Sequence, residues 1–155
     1  MDNKLPDLAV KVLGVVRNEI KESGRRTDIK NIVSEIELYD SFADGLDRLD
    51  EYSHITVIYW YHVERHPGPH PVKQHPHNQD IYPLVGIFAL RGSNRPNRIG
   101  MCAVPLLERK GNKIKVSGLD AINGSPVIDI KPYIARIDSI PDAKVSSWES
   151  EWEKR

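Results

Sequence analysis

Hydrophobic and polar residues change places in short runs along this 155-residue chain, not in long helical stripes. A period of two places successive side chains on opposite faces of an extended strand. Segments 10–16 (VKVLGVV), 34–38 (SEIEL), 54–62 (HITVIYWYH), 84–90 (LVGIFAL), 99–107, 113–116 (KIKV) and 127–130 (VIDI) either alternate or are rich in β-branched and aromatic residues. Each is predicted as a strand. The run 84–90 is apolar throughout, which predicts a strand buried on both faces. One stretch reads as a helix. In 40–51 (DSFADGLDRLDE), Phe42, Leu46 and Leu49 fall at i, i+4 and i+7. Gly45 costs that helix about 1 kcal/mol relative to Ala and limits it to a few turns. Residues 148–155 form either an amphipathic turn or a loose end.

Turn signals separate the runs. Gly111–Asn112 reads as a hairpin turn, and 123–126 (NGSP) as another. Many short strands with regular turns predict a mainly β sandwich or barrel. Residues 63–83 interrupt the pattern and hold five of the 11 prolines, Pro67, Pro69, Pro71, Pro76 and Pro83. Such a chain is stiff and cannot enter a sheet interior, so a long Pro/His-rich loop is expected. Neither GxGxxG nor GxxxxGK occurs, which excludes a Rossmann dinucleotide site and a P-loop.

Composition narrows the picture. Lys+Arg number 22 and Asp+Glu 22, so the formal net charge is zero. A uniformly basic nucleic-acid binder is excluded. Charge is nevertheless uneven. Acids gather at 35–51 and 149–153, and basic residues at 91–98 and at Arg109, Lys110, Lys113 and Lys115. Hydrophobic residues make up 39%, enough for a core. A lone cysteine excludes an internal disulfide and a cysteine-cluster zinc site, and suits a reducing, cytoplasmic setting. No run approaches the apolar length of a membrane span.

Three groups of residues could carry chemistry. The loop 91–100 (RGSNRPNRIG) holds Arg91, Arg95 and Arg98 without an acid. Guanidinium groups bind carboxylate or phosphate bidentately, although a solvated hairpin loop has the same composition. An extended 129–133 puts Asp129, Lys131 and Tyr133 on one face, either as a polar substrate-binding trio or as an ordinary surface ion pair beside a tyrosine. His62, His66, His70, His75 and His77 are spaced irregularly among prolines, so no metal site is expected. Cys102, between Met101 and Ala103, reads as a small buried hydrophobe.

Taken in order, the segments GVVR (14–17), SEIEL, ADGLDRLDEYSHITVIYWYH, PLVGIFALRGSNRPNRIG and GLDAINGSPVIDIKPY resemble the TsaA-like family of β-barrel methyltransferases. The resemblance runs from about residue 12 to residue 133. It implies a small closed or partly open β-barrel over residues 8–138, with one short helix, the Pro/His-rich loop, and a C-terminal tail at 139–155. It also implies S-adenosyl-L-methionine as cofactor, methyl transfer to N6 of threonylcarbamoyl-adenosine 37 in tRNA, and a homodimer. Cofactor contacts are implied at Glu22, Ser23 and Gly24, at His62 and Val63, at Arg91 and Cys102, and at Leu119, Asp120, Ala121 and Ile122. Asp129, Lys131 and Tyr133 are implied on the catalytic, substrate side. This chain reads ALRGSNRPNRIG where the family reads ATRSPxRPNPIG, so its loop is freer and its substrate could differ. The alternative is therefore a barrel of the same family that uses the same cofactor on another small molecule or RNA.

Overall fold

The strand 54–60 shows how alternation builds this fold. Ile55, Val57 and Tyr59 are at most 1% exposed, while Thr56, Ile58 and Trp60 occupy the opposite face. The computed structural model describes residues 8–22, 28–63 and 68–153. Among these the strands are β1 (Gly14–Arg17), β2 (Val33–Leu38), β3 (His54–Trp60), β4 (Lys73–Gln74), β5 (Val85–Gly86), β6 (Ile99–Lys110), β7 (Lys113–Ser117) and β8 (Pro126–Pro132). Six of them close into a barrel in the order β1–β2–β7–β6–β3–β8, and every pairing is antiparallel. Closure leaves no free edge in the barrel.

The core lies inside the barrel. Val16, Ile36, Ile55, Val57, Val104, Ile114, Val116 and Val127 are almost fully buried there. Each such side chain contributes about 1.5–3 kcal/mol relative to an exposed one. Two glycines permit close approaches. A Cβ on Gly14 would lie 2.2 Å from the Glu37 carbonyl oxygen, and one on Gly100 would lie 2.5 Å from the Tyr59 ring. Gly111 turns the β6–β7 hairpin with φ of 61°, as the Gly–Asn signal predicts.

Three expectations change in detail. The segment 40–51 folds as two 3-10 helices, Asp40–Leu46 and Leu49–Glu51, separated by Arg48 in the left-handed region with φ of 62°. Its one-sided apolar spacing survives, since Leu46 is buried against the barrel with Phe42 and Leu49 beside it. The run 84–90 is not a buried strand. Only Val85–Gly86 pairs, with Lys73–Gln74, and Phe88 is 84% exposed. Its neighbours come from the proline-rich segment, which lacks the donors to continue a ladder. Finally, the strand expected over 10–16 begins only at Gly14 and runs to Arg17, while at the C-terminus the helical alternative for 148–155 is the one that forms. Helix α1 (Ala135–Asp138) follows β8, and α2 (Ser147–Glu153) lies near the end of the chain.

Candidate functional site

Antiparallel pairing brings three loops together at one end of the barrel. Trp60, the last residue of β3, pairs with Ile99, the first of β6, and Tyr59 pairs with Val127 near the start of β8. The chain leaving β3, the chain entering β6 and the chain entering β8 therefore share that end. They enclose a cleft of about 390 Å³, near the lower limit for a small-ligand site. Tyr61, His62 and Val63 contribute from the first segment, Arg91, Gly92 and Ser93 from the second, and Asp120, Ile122 and Ser125 from the third. His77 and Trp152 complete the lining.

The third loop is clamped from beneath. The Asn18 side-chain amide donates to the Ala121 carbonyl at 2.8 Å and to buried Ser34 Oγ at 2.9 Å. The Tyr59 hydroxyl donates to the Asp120 carbonyl oxygen. The backbone N–H of Asn123 donates to the Ile20 carbonyl at 2.7 Å. Burial holds the Tyr59 phenol far above its ordinary range, so this group stays a donor. Leu119 and Ala121 point into the core, which leaves the backbone and the intervening residues Asp120 and Ile122 to face the cleft.

The arginine-rich loop divides its labour. Arg95 is turned inward, where Nη2 donates to the Leu90 carbonyl at 2.5 Å and the Ile87 carbonyl at 3.3 Å. Arg98 lies 5.5 Å over the Trp60 ring. Arg91 is exposed and borders the cleft, steadied by a bond from Nη2 to the Met101 carbonyl at 3.1 Å. One Arg91 nitrogen is thus anchored while the rest of the guanidinium fork remains for an anion.

Of the residues expected at the cofactor, His62, Val63, Arg91, Asp120 and Ile122 line the cleft. Cys102 sits just behind, within the field of Arg91 and Asp120, and its Sγ lies 3.7 Å from the Gly118 carbonyl. Burial pushes its thiol up. Glu22 is exposed and is not part of the cleft wall, and Ser23 and Gly24 lie outside the described residues.

Asp129, Lys131 and Tyr133 run along β8 away from this end. Asp129 and Lys131 pair with Ile58 and Thr56, on the outer wall, and their side chains form an ion pair at 2.7 Å. Tyr133 donates its backbone N–H to His54, at the far end of β3, ~20 Å from the cleft end by the usual strand rise. The same-face spacing is therefore real, but the face is the outside of the barrel.

Sequence reasoning missed His77 and Trp152. Their rings stack at 3.7 Å with 7° between planes, and Tyr82 packs edge-on to both. The proline-rich run 63–83 has no periodic signal, and an amphipathic turn at 148–155 does not name the partner its apolar face meets. No group of three or more His, Cys, Asp or Glu side chains among the described residues could hold a metal ion.

A closed antiparallel barrel whose end cleft is bordered by one arginine and one aspartate is a small β-barrel domain with a cleft of small-ligand size, distinct from the doubly wound nucleotide folds. The chain belongs to the family of the tRNA-methyltransferase O N-terminal domain, which it matches over residues 18–139. It is 37% identical over 136 residues to an S-adenosyl-L-methionine-binding protein of Archaeoglobus fulgidus, covering 86% of this chain and 94% of that protein. It is 33% identical over 144 residues to the tRNA (adenine(37)-N6)-methyltransferase of Escherichia coli, covering 86% of this chain and 61% of that enzyme. The crystal structure of TrmO from Pseudomonas aeruginosa superposes with a TM-score of 0.74 at 26% identity, covering 91% of this chain and 62% of that one. The chain thus spans about three fifths of the length of both TrmO-type proteins.

Proposed function

We propose that this chain is an S-adenosyl-L-methionine-dependent methyltransferase acting on N6 of an adenine in tRNA, with threonylcarbamoyl-adenosine 37 as the target. The observation that carries the reading is the convergence of Arg91, His62, Val63, Asp120 and Ile122 on one cleft, in a member of a tRNA-methyltransferase family. The residues present suit the cofactor. Arg91 offers a partly free guanidinium for an amino-acid carboxylate. The carboxylate of Asp120 borders the same space, where a cationic amine or sulfonium is favoured. When bound, the cofactor supplies a methyl group already activated on sulfur.

The chain's own residues then have to position the acceptor and manage its proton. The exocyclic N6 of the acceptor, whose lone pair is delocalised into the ring and the carbamoyl group, is a weak nucleophile and sheds its proton as the new bond forms. Asp129, Lys131 and Tyr133 are proposed on the substrate side, along the outer wall of β8. Asp129 already accepts from Lys131 and from the Ile130 N–H at 2.9 Å, so it serves as proton acceptor only if the acceptor RNA draws Lys131 onto a phosphate. Tyr133, at the other end of the strand, contacts the body of the RNA and not the reacting base. A homodimer is proposed as well, supported by exposed Val72, Leu84 and Phe88 around the β4–β5 pair. A tRNA substrate supports a cytoplasmic setting.

The test is methylation of threonylcarbamoylated tRNA by the purified chain, read by mass spectrometry of the nucleoside digest. A gain of one methyl on the modified adenosine is expected. Binding of the cofactor without methylation of any tRNA would favour the second reading, in which the barrel uses the cofactor on another acceptor. That reading draws support from Gly92 and Ser93, which line the cleft where the family pattern has serine and proline. Asp129→Ala with an unchanged methylation rate would remove the proton-acceptor assignment.

A further inference from the structure

The C-terminal helix supplies a wall of the cleft that the barrel does not provide. Trp152 on α2 and His77 in the proline-rich segment both border the cleft, and their rings stack face to face at 3.7 Å. Several contacts preorganise this pair. Tyr82, 3% exposed, packs edge-on to both rings. His77 is held with φ of 55°, a backbone region that non-glycine residues seldom adopt without support. Glu149, one turn before Trp152, places Oε2 3.7 Å from His77 Nε2. The preceding His75 is fixed in turn, its Nδ1 2.8 Å from the Tyr82 carbonyl.

We propose that the His77–Trp152 pair is the ring-binding wall of this cleft, and that the ring it takes is an adenine. The proposal rests on the methyltransferase reading above. Stacked indole and imidazole surfaces favour flat heteroaromatic rings, and they do so without reading hydrogen bonds. The cleft's charged groups lie on other segments: Arg91 on the loop entering β6 and Asp120 on the loop entering β8. The aromatic wall and the ionic groups thus divide the work, one for a base and the other for charged substituents. Both substrates of the proposed reaction carry adenine, the methyl donor and the acceptor nucleotide. Trp152 and His77 act here as binding residues, and the tail becomes part of the site.

The experiment compares the full chain with Trp152→Leu, which keeps apolar bulk against His77 and Tyr82, and with Trp152→Phe, which keeps an aromatic ring. S-adenosylhomocysteine binding is measured by isothermal titration, tRNA KM by methyl transfer, and folding by thermal melting. Expected is at least a tenfold loss for Trp152→Leu in one of the two, with substantial recovery in Trp152→Phe. A loss in S-adenosylhomocysteine affinity assigns the donor's adenine. A rise in tRNA KM at unchanged S-adenosylhomocysteine affinity assigns the acceptor's. A lower melting temperature with both parameters unchanged would overturn the proposal and leave Trp152 a purely structural residue. Failure of the unmodified chain to bind S-adenosylhomocysteine would instead refute the reading beneath it.

Discussion

The Tyr59 hydroxyl, buried inside the barrel, donates to the backbone carbonyl of Asp120 in the cleft wall. A core residue on β3 thereby holds a loop that enters β8. Tyr59→Phe keeps the ring and removes the donor, at a cost of about 0.5–1.5 kcal/mol for the lost hydrogen bond. Urea denaturation should show this as a lower midpoint with an unchanged slope. The S-adenosylhomocysteine affinity should fall as well, because Asp120 and Ile122 lose their support.

The same tyrosine sets a limit at high pH. Burial raises its folded pKa above that of the unfolded chain, so the unfolded state loses the proton first as pH rises. The stabilisation is complete below about pH 10, the usual tyrosine value, and declines above it. Ultraviolet titration should show the Tyr59 phenolate only as the protein unfolds. Tyr59→Phe should delete that late component, and its persistence in the variant would contradict the assignment.

Gly100 is required by a side chain, not by a turn. An added Cβ would lie 2.5 and 2.6 Å from two atoms of the Tyr59 ring and 2.9 Å from its hydroxyl oxygen, and Tyr59 is itself 1% exposed. The ring has no room to withdraw, so Gly100→Ala should cost about 1–3 kcal/mol through overpacking. Thermal melting will read it. Gly45→Ala is the control, since nothing lies within 4 Å of a Cβ there.

Arg91 separates charge from geometry. Arg91→Lys retains a cation but not the planar fork, so it should recover little of the affinity lost in Arg91→Ala. A charge-assisted bond contributes about 1.5–3 kcal/mol, which corresponds to roughly a tenfold to hundredfold weaker S-adenosylhomocysteine complex. Titration calorimetry at matched salt decides it, and equal binding by the lysine variant would show that charge alone suffices.

Cys102 should be a poor nucleophile. Its thiol is pushed up by burial, so the thiolate fraction near neutrality is small. Iodoacetamide should alkylate it more slowly than glutathione at pH 8, with the rate rising steeply once the fold is lost in urea.

The strands were legible because each reports its own buried face. The alternation in 34–38, 54–60 and 113–116 appears unchanged as β2, β3 and β7. The run 84–90 misled because an unbroken apolar stretch signals burial without naming a partner, and here its neighbour is a proline-rich segment. The helix in 40–51 was legible in its apolar spacing but not in its pitch, since the break at Arg48 depends on a single left-handed residue.

Local patterns of polarity and turn residues in the sequence determined the short strands, the hairpins and the arginine loop, whereas the choice of a barrel over a sandwich and the interest of segment 119–122 came from the resemblance of the ordered motifs to a known family. The family resemblance singles out Arg91 among the three arginines, and the tertiary structure supplies the reason: Arg95 is turned onto backbone carbonyls and Arg98 lies over the Trp60 ring, while Arg91 borders the cleft. Only the tertiary structure placed the Asp129–Lys131 pair outside the barrel and brought Trp152 onto His77, 75 residues away along the chain. Periodicity states that a face exists, whereas barrel closure and register determine which distant faces meet.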